Sequence, residues 1–315
     1  MDIEEVIGKS PVVTKILDCT MITPLLMHGK ENKKVAELRA PSFTGVFRYW
    51  FRALQPASSS RMVRRESIMF QEESNLFGGT RGKSQKSPIL VSISPPISFK
   101  EHQYNTRPHA PYKKPPTIVP GIPENKLFQL QLQTYLKDEH LFDTVLTYAK
   151  ISFYLGGFGQ RSRRGFGSIT ITNDEKHENP EQWLDYVQRL ISSVSKLPLQ
   201  KKKNNLIVTG NQQNISHPQL LGVYIGHGYD NAEEALITIN ETSSKVANTY
   251  KGALGDIGGP QKKLASPVIA SVKPIGNKFY IVVTEVNNTK DRASYNLENY
   301  LNAKKMFLEE VGATY

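Results

Sequence analysis

Residues 126–136, KLFQLQLQTYL, alternate apolar and polar side chains over the length of a full strand. A two-residue period puts every second side chain on one face, so this run specifies a strand with one face buried and the other wet. Two more runs, VVTKILDCTMI at 12–22 and PILVSISPP at 88–96, read as strands, and GFGSITIT closes a further one at residue 172. Helical spacing separates them. After Pro41 and Ser42, Phe43, Phe47, Phe51 and Leu54 recur every three or four residues, which predicts a helix with Ser42 as its N-cap. A second helical piece over 62–76 ends at Gly78 and Gly79, and residues 139–155 form another apolar helix.

The resulting order of strand, helix, strand, strand, helix, strand is the ferredoxin-like arrangement, a scaffold of many RNA-binding modules. The expected class is therefore α+β: two ferredoxin-like domains packed together, over 1–172 and 173–315, the second degenerate. In the second domain the pattern gives a helix near 180–197, then a basic linker, LPLQKKKNN, expected to cross solvent. Short strands at 205–209 and 219–225 and helical residues near 231–250 follow. A hairpin over 267–274 and 278–286 turns at Ile275, Gly276 and Asn277, and a last helix covers about 293–311. Residues 97–125 are too proline-rich for regular structure and read as an insertion, with Tyr104, Arg107, His109, Tyr112, Lys113 and Lys114 along it.

Charge narrows the partners. Forty Lys and Arg against 29 Asp and Glu leave a formal charge of +11, which favours an anionic partner, nucleic acid first. No apolar run approaches the roughly 18 residues that span a bilayer, and MDIEEV does not read as a signal peptide. The single cysteine, Cys19, cannot form an internal disulfide, and no Cys/His cluster has zinc-ligand spacing. A cytoplasmic protein with no metal or cofactor, and with Cys19 in its core, is expected.

The densest local signal is LGGFGQRSRRGFGSI at 155–169, with five glycines and three arginines between a helix and a strand. Gly156, Gly157, Gly159, Gly165 and Gly167 let the backbone come close to a ligand, while Arg161, Arg163 and Arg164 supply phosphate contacts and planes for base stacking. Phe158 and Phe166 are the interleaved aromatics. A dinucleotide fingerprint fails on context, because Gly157 and Gly159 follow a helix and Ser162 holds the third glycine position. A second signal is ELRAPSFTGVFRYWFRAL at 37–54: Arg48 and Arg52 lie four apart on one helical face, and Arg39 precedes the helix N-terminus, which attracts phosphate. Phe47, Trp50 and Phe51 read as core. Gly82, Lys83 and Ser84 in FGGTRGKSQKS do not make a P-loop, since Phe77 stands where its first glycine belongs. That segment reads as a basic loop. His28, beside a glycine after the first strand, is the best general acid or base available, and His227 in GHGYD has similar standing. The carboxylates have no spacing that suggests paired acid/base or two-metal chemistry.

These motifs together resemble the RAMP superfamily of CRISPR RNA-binding proteins, and within it the first-subunit family of Cmr-type (type III-B) effector complexes. Arg39, Gly45, Arg48, Trp50 and Arg52 match an Arg, Gly, Arg, aromatic, Arg signature; NLFGG at 75–79 resembles the superfamily's Leu-Phe-Gly turn. GGFGQRSRRGFGS resembles its glycine-rich loop, and KKLASPVIASV at 262–272 a late Ser-Pro element. Met27 and His28 depart from the small or glycine positions of the family, and Phe51 replaces a tryptophan. The resemblance implies a non-catalytic subunit that contacts CRISPR RNA near its 3′ portion and helps to capture target single-stranded RNA beside other subunits of the complex. It carries RNA contacts to Arg39, Arg48, Arg52, Gly156, Gly157, Gly159, Arg161, Arg163, Arg164, Gly165 and Gly167, with Lys262 and Lys263 as weaker additions. The alternatives are a metal-independent CRISPR RNA-processing endonuclease that uses His28, and a structural subunit that clasps a protein neighbour through its proline-rich insertion.

Overall fold

The computed structural model describes residues 12–30, 34–56, 62–80, 84–100, 102–108, 110, 117–135, 138–209, 217–255, 265–287 and 297–313. Lys262, Lys263, Gly82 and Lys83 lie outside the described residues, as do residues 293–296, where the last helix was expected to begin.

The alternating runs form the first sheet. Strands β1 (Val12–Met21), β3 (Ile89–Ser94), β7 (Leu127–Tyr135) and β8 (Ile169–Ile171) lie in the order β3-β7-β1-β8, and every neighbouring pair is antiparallel. Leu130 of β7 faces Leu17 of β1 on one side and Ile93 of β3 on the other, and Phe128, Leu130 and Leu132 all point into the core. Helices α1 (Ala40–Ala53), α2 (Met62–Phe77) and α3 (Glu139–Leu155) belong to this half. Phe43, Phe47, Trp50 and Phe51 of α1 are all buried, as the helical period requires. The helix begins earlier than expected: Arg39 is its N-cap and makes no side-chain cap bond, so Ser42 lies inside the first turn. Pro41 sits in that turn, where its missing N–H costs nothing and its fixed φ suits the helix. Gly78 ends α2 at φ +73°, its N–H donating to the Ser74 carbonyl at 2.8 Å.

The second sheet has the order β12-β13-β11-β10-β9, with β9 (Leu199–Lys202), β10 (Asn205–Val208), β11 (Gln219–Tyr229), β12 (Val268–Ile275) and β13 (Lys278–Asn287). Helices α4 (Pro180–Val194), α5 (Ala232–Thr249) and α6 (Leu297–Glu310) complete it. Two expectations change. The basic linker is not a solvent crossing: Leu199–Lys202 pairs with β10 as an edge strand, where lysines on the wet side discourage further pairing. The proline-rich insertion is not wholly irregular. It contributes β4 (Ser98–Phe99), which pairs with β2 (Ala36–Glu37), and a two-stranded ribbon of β5 (Gln103–Asn105) with β6 (Ile118–Pro120). Short strands at a ribbon's end accommodate proline because few N–H groups are called on.

The two halves share one interior. A single contiguous cluster of buried residues runs from Leu17 and Leu130 of the first sheet through Trp183 of α4 to Leu206, Leu220 and Val286 of the second. Cys19 is buried within it, and desolvation raises its thiol pKa far above the usual range.

Candidate nucleic-acid interface

The glycine- and arginine-rich segment joins α3 to β8 and lies between the two sheets. Its anchors are aromatic. The Phe158 ring sits 4.7 Å from Phe43 and 4.8 Å from Phe153, inside the first half's core. Phe166 packs with Leu26 and with Leu236 of α5. Both rings are fully buried, so neither of these interleaved aromatics is an exposed stacking platform. Backbone hydrogen bonds fix the rest. Gln160 N–H donates to Leu26, Gly167 N–H to Pro24 and Gly165 N–H to Ala270, while Ala270 N–H donates back to Arg163.

The glycines serve this packing. Gly167 has φ +64°, and a Cβ there would stand 2.0 Å from the Phe158 carbonyl oxygen; at Gly159, φ +76°, it would stand 2.6 Å from that of Leu26. Main chain meets main chain at both places, and only glycine permits it. Gly156, Gly157 and Gly165 are likewise buried against protein, whereas Gly159 opens to solvent.

The signature arginines divide into two groups. Arg48 Nε and Arg52 Nη1 both donate to Glu73 Oε1 at 2.7 Å, and Glu73 is 2% exposed. Arg48 Nη1 also donates to the Gly78 carbonyl at 2.9 Å, so the signature helix clasps the Leu-Phe-Gly turn. These two cations share one carboxylate within the fold, which leaves the trio a net charge of +1. Arg39 is half exposed, reaching the His28 carbonyl at 3.2 Å and the Glu37 carboxylate at 3.4 Å.

The loop arginines have no carboxylate partner among the described residues. Arg163 rests over the Tyr49 ring at 5.6 Å and donates to the Ser266 carbonyl, bringing the signature helix, the loop and the Ser-Pro element to one point. Arg161 occupies a left-handed conformation at φ +56°; its Nη2 reaches Asn240 Oδ1 at 3.5 Å and its Nε is buried without a partner. Burial lowers its pKa to about 10, helped by the neighbouring charges of Arg164 and Arg107. Burial also lowers that of Arg164. A partly desolvated guanidinium with free donors, crowded by its own kind, favours an oxyanion. Arg107, in the insertion, was not singled out as a contact from the sequence.

Other surfaces offer less. The face of the first sheet away from the helices aligns Ser92, Gln131 and Ile16 across three strands, and Leu90, Gln133 and Thr14 one step along. It carries no row of aromatics for stacking bases, only Tyr135 at one end. His28 Nε2 is bonded to the Pro120 carbonyl at 2.7 Å and its Nδ1 is buried, so the ring is tied into packing between β1 and the insertion. His227 is exposed, beside Gly312. A cleft of about 560 Å³ between the halves is lined by Tyr154, Asp174, His177, Trp183 and Lys273. Among the described residues no group of His, Cys, Asp and Glu could hold a metal ion, and no helix is long and apolar enough to cross a membrane.

Comparison with known proteins agrees with this arrangement. The family model of the RAMP superfamily matches residues 18–170. The chain is 28% identical over 147 residues to the CRISPR system Cmr subunit Cmr1-1 of Pyrococcus furiosus, covering 44% of this chain and 42% of that protein. It is 26% identical over 181 residues to Cmr1-2 of the same organism, covering 50% and 94%. The match thus spans less than half the length of the first of these relatives. Among solved structures, the crystal structure of Cmr1 from Pyrococcus furiosus in its apo form aligns with a TM-score of 0.63 at 17% identity, over 96% of this chain and 98% of that one. A chain of a type III-B Cmr-beta complex bound to cognate target RNA aligns with a TM-score of 0.56 at 10% identity, over 96% and 100%. At such identities the structural likeness concerns the fold alone.

Proposed function

We propose that this chain, whose residues 18–170 match the RAMP superfamily model and which is similar to Cmr1 subunits, is a non-catalytic RNA-binding subunit of a Cmr-type (type III-B) CRISPR complex. In this reading it holds CRISPR RNA near the 3′ portion, helps to capture complementary target RNA, and works beside other Cmr subunits. The observation that carries it is the contrast among the arginines. Arg48 and Arg52 are paired with Glu73, whereas Arg161, Arg163 and Arg164 are half-buried on a chain of net charge +11 with no carboxylate among the described residues to balance them. RNA phosphates are the anions that fit, with sequence read by base pairing between guide and target. Arg39, half exposed at the N-terminus of α1, is an additional contact. The glycines of the loop hold the arginines in place.

The strand order supports a finer reading of the scaffold. In the first half the fourth strand lies beside the first and the second lies at the far edge, the ferredoxin-like order, with a boundary near residue 172. In the second half β11, α5, β12, β13 and α6 repeat the first five elements, and β10 occupies the place of the missing last strand.

Equilibrium binding of a labelled single-stranded RNA in chelator, over a salt series, tests the function. Replacing Arg161, Arg163 and Arg164 by Gln is expected to weaken binding to all sequences and to reduce the slope of log K against log salt by about 0.7 for each phosphate no longer neutralised. Unchanged affinity and slope would sink the reading. The RNA is expected to stay intact, and defined fragments that disappear in His28→Ala would instead establish the endonuclease.

A further inference from the structure

The proline-rich insertion reaches the arginine loop and brings a charge with it. The β5–β6 ribbon is anchored by Tyr104 and Val119, which pack on Leu26, Phe166 and Leu236. Leu26 is also the residue whose carbonyl receives Gln160 N–H at 2.7 Å, immediately before Arg161. One residue therefore seats both the ribbon and the arginine loop. At the ribbon's end Arg107 is set by a tight turn: its N–H donates to Asn105 Oδ1 at 2.9 Å and its carbonyl receives Ala110 N–H at 3.0 Å. Its side chain is exposed. Its charge lies near enough to Arg161 to oppose that residue's protonation, as does that of Arg164, whose N–H donates to the Arg161 carbonyl at 2.8 Å. Glu124 and Glu233 line a separate cleft with Tyr104 and Phe166, and neither forms an ion pair with these three arginines. Asn240, fully buried, accepts from Arg161 through Oδ1 and donates through Nδ2 to the Arg164 carbonyl at 3.1 Å, so the backbone that carries the pair is braced.

Three like charges near one another with no counter-ion among the described residues repel one another, and the arrangement gains when an anion enters. We propose that Arg107, Arg161 and Arg164 form a clamp for one backbone phosphate of single-stranded RNA, the proline-rich insertion supplying the outer arm and the glycine-rich loop the inner two. The inference deepens the RNA-binding reading and rests on it. Each planar guanidinium offers forked donors to the phosphate oxygens, which a lysine ammonium does not. The insertion thereby becomes part of the binding surface.

The experiment is salt-dependent binding of a labelled single-stranded RNA to the full chain, comparing wild type with Arg107→Ala, Arg107→Lys, Arg161→Gln and the double variant Arg107→Ala/Arg161→Gln. Arg107 is exposed, so Arg107→Ala is expected to leave the melting temperature unchanged while lowering affinity several-fold and the salt slope by about 0.7. Arg107→Lys should restore the slope but not the whole affinity. Because both residues hold one phosphate, the double variant should lose less than the product of the two single losses. Wild-type affinity in Arg107→Ala alongside a loss in Arg161→Gln would remove the clamp and leave the RNA-binding reading standing. Fully multiplicative losses would likewise overturn a shared phosphate. No loss in any variant would likewise remove the clamp, and absence of salt-dependent binding by the wild type would overturn the RNA-binding reading itself.

Discussion

The ammonium of Lys273 donates a 2.7 Å hydrogen bond to the carbonyl oxygen of Gly156, so a strand of the second half caps the helix that launches the arginine loop. Lys273 also donates to the Phe153 carbonyl, and Thr284 Oγ1 to that of Leu155 at 2.8 Å. The last carbonyls of α3 have no partner within the helix, and a cation there also complements the helix dipole. The position of the loop therefore depends on the second sheet as much as on the helix before it.

That cap carries a pH signature. Complete burial pushes the Lys273 pKa down to about 7. Between that value and the ordinary lysine pKa of about 10.4 the unfolded chain binds a proton that the folded chain lacks, so this residue makes stability rise with pH. The cost of burying its charge is felt in full below about pH 7 and is gone above the unfolded value. Urea unfolding of wild type and Lys273→Met at pH 7, 8 and 9 should show wild type gaining on the variant at each step. A constant difference would show that Lys273 does not titrate in this window.

Glu73 is the hub of the signature helix. It is 2% exposed and receives both Arg48 and Arg52 at 2.7 Å. Glu73→Gln leaves two partly buried guanidiniums facing a neutral amide, and the expected loss is about 3 kcal/mol, the lower end for orphaning a buried charge. Chemical denaturation measures it directly. A loss under about 1 kcal/mol would mean that water already serves both arginines, as at a surface pair.

Phe158 tests whether the loop's aromatics hold the fold or meet the ligand. The ring is buried between Phe43 and Phe153, so Phe158→Ala should cost about 3–5 kcal/mol through the cavity it leaves. RNA affinity per folded molecule should change little. Normal stability with weakened RNA binding would reverse the assignment and make Phe158 a stacking residue.

Periodicity and punctuation carried the sequence reading where one rule acts alone. The alternation of Phe128, Leu130 and Leu132 set the strand, and the spacing of Phe43, Phe47 and Phe51 set the helix, because each pattern has one physical interpretation. The helix start was less legible, since Pro41 and Ser42 both mark first turns and choosing between them needs the backbone angles of Arg39. Lys201 and Lys202 read as a linker because edge strands and linkers share a polar composition. The loop was legible as glycine and arginine density, yet density does not say what the glycines approach. That Gly167 meets the Phe158 carbonyl, or that Arg48 meets Glu73 twenty-five residues away, follows only from tertiary contact. Arg107 was hidden for the same reason: the insertion's composition gave no sign that its ribbon folds back onto Leu26.

Gly45 separates stability from binding within one helix turn. It lies inside α1, is exposed, and a Cβ added there would meet nothing within 4 Å. A mid-helix glycine costs about 1 kcal/mol relative to alanine, and nothing inside the protein requires this one. It stands one turn before Tyr49, on whose ring Arg163 rests, so a strand of RNA held by the loop arginines would pass over it. Gly45→Ala is therefore expected to raise stability by about 0.5–1 kcal/mol and to lower RNA affinity, and Gly45→Gln to lower affinity further without loss of stability. Opposite signs in unfolding and binding measurements on the same variant would mark this surface as one that an RNA backbone approaches closely. Equal affinity in all three proteins would move the path of the RNA away from α1 and confine its contacts to the loop and the insertion.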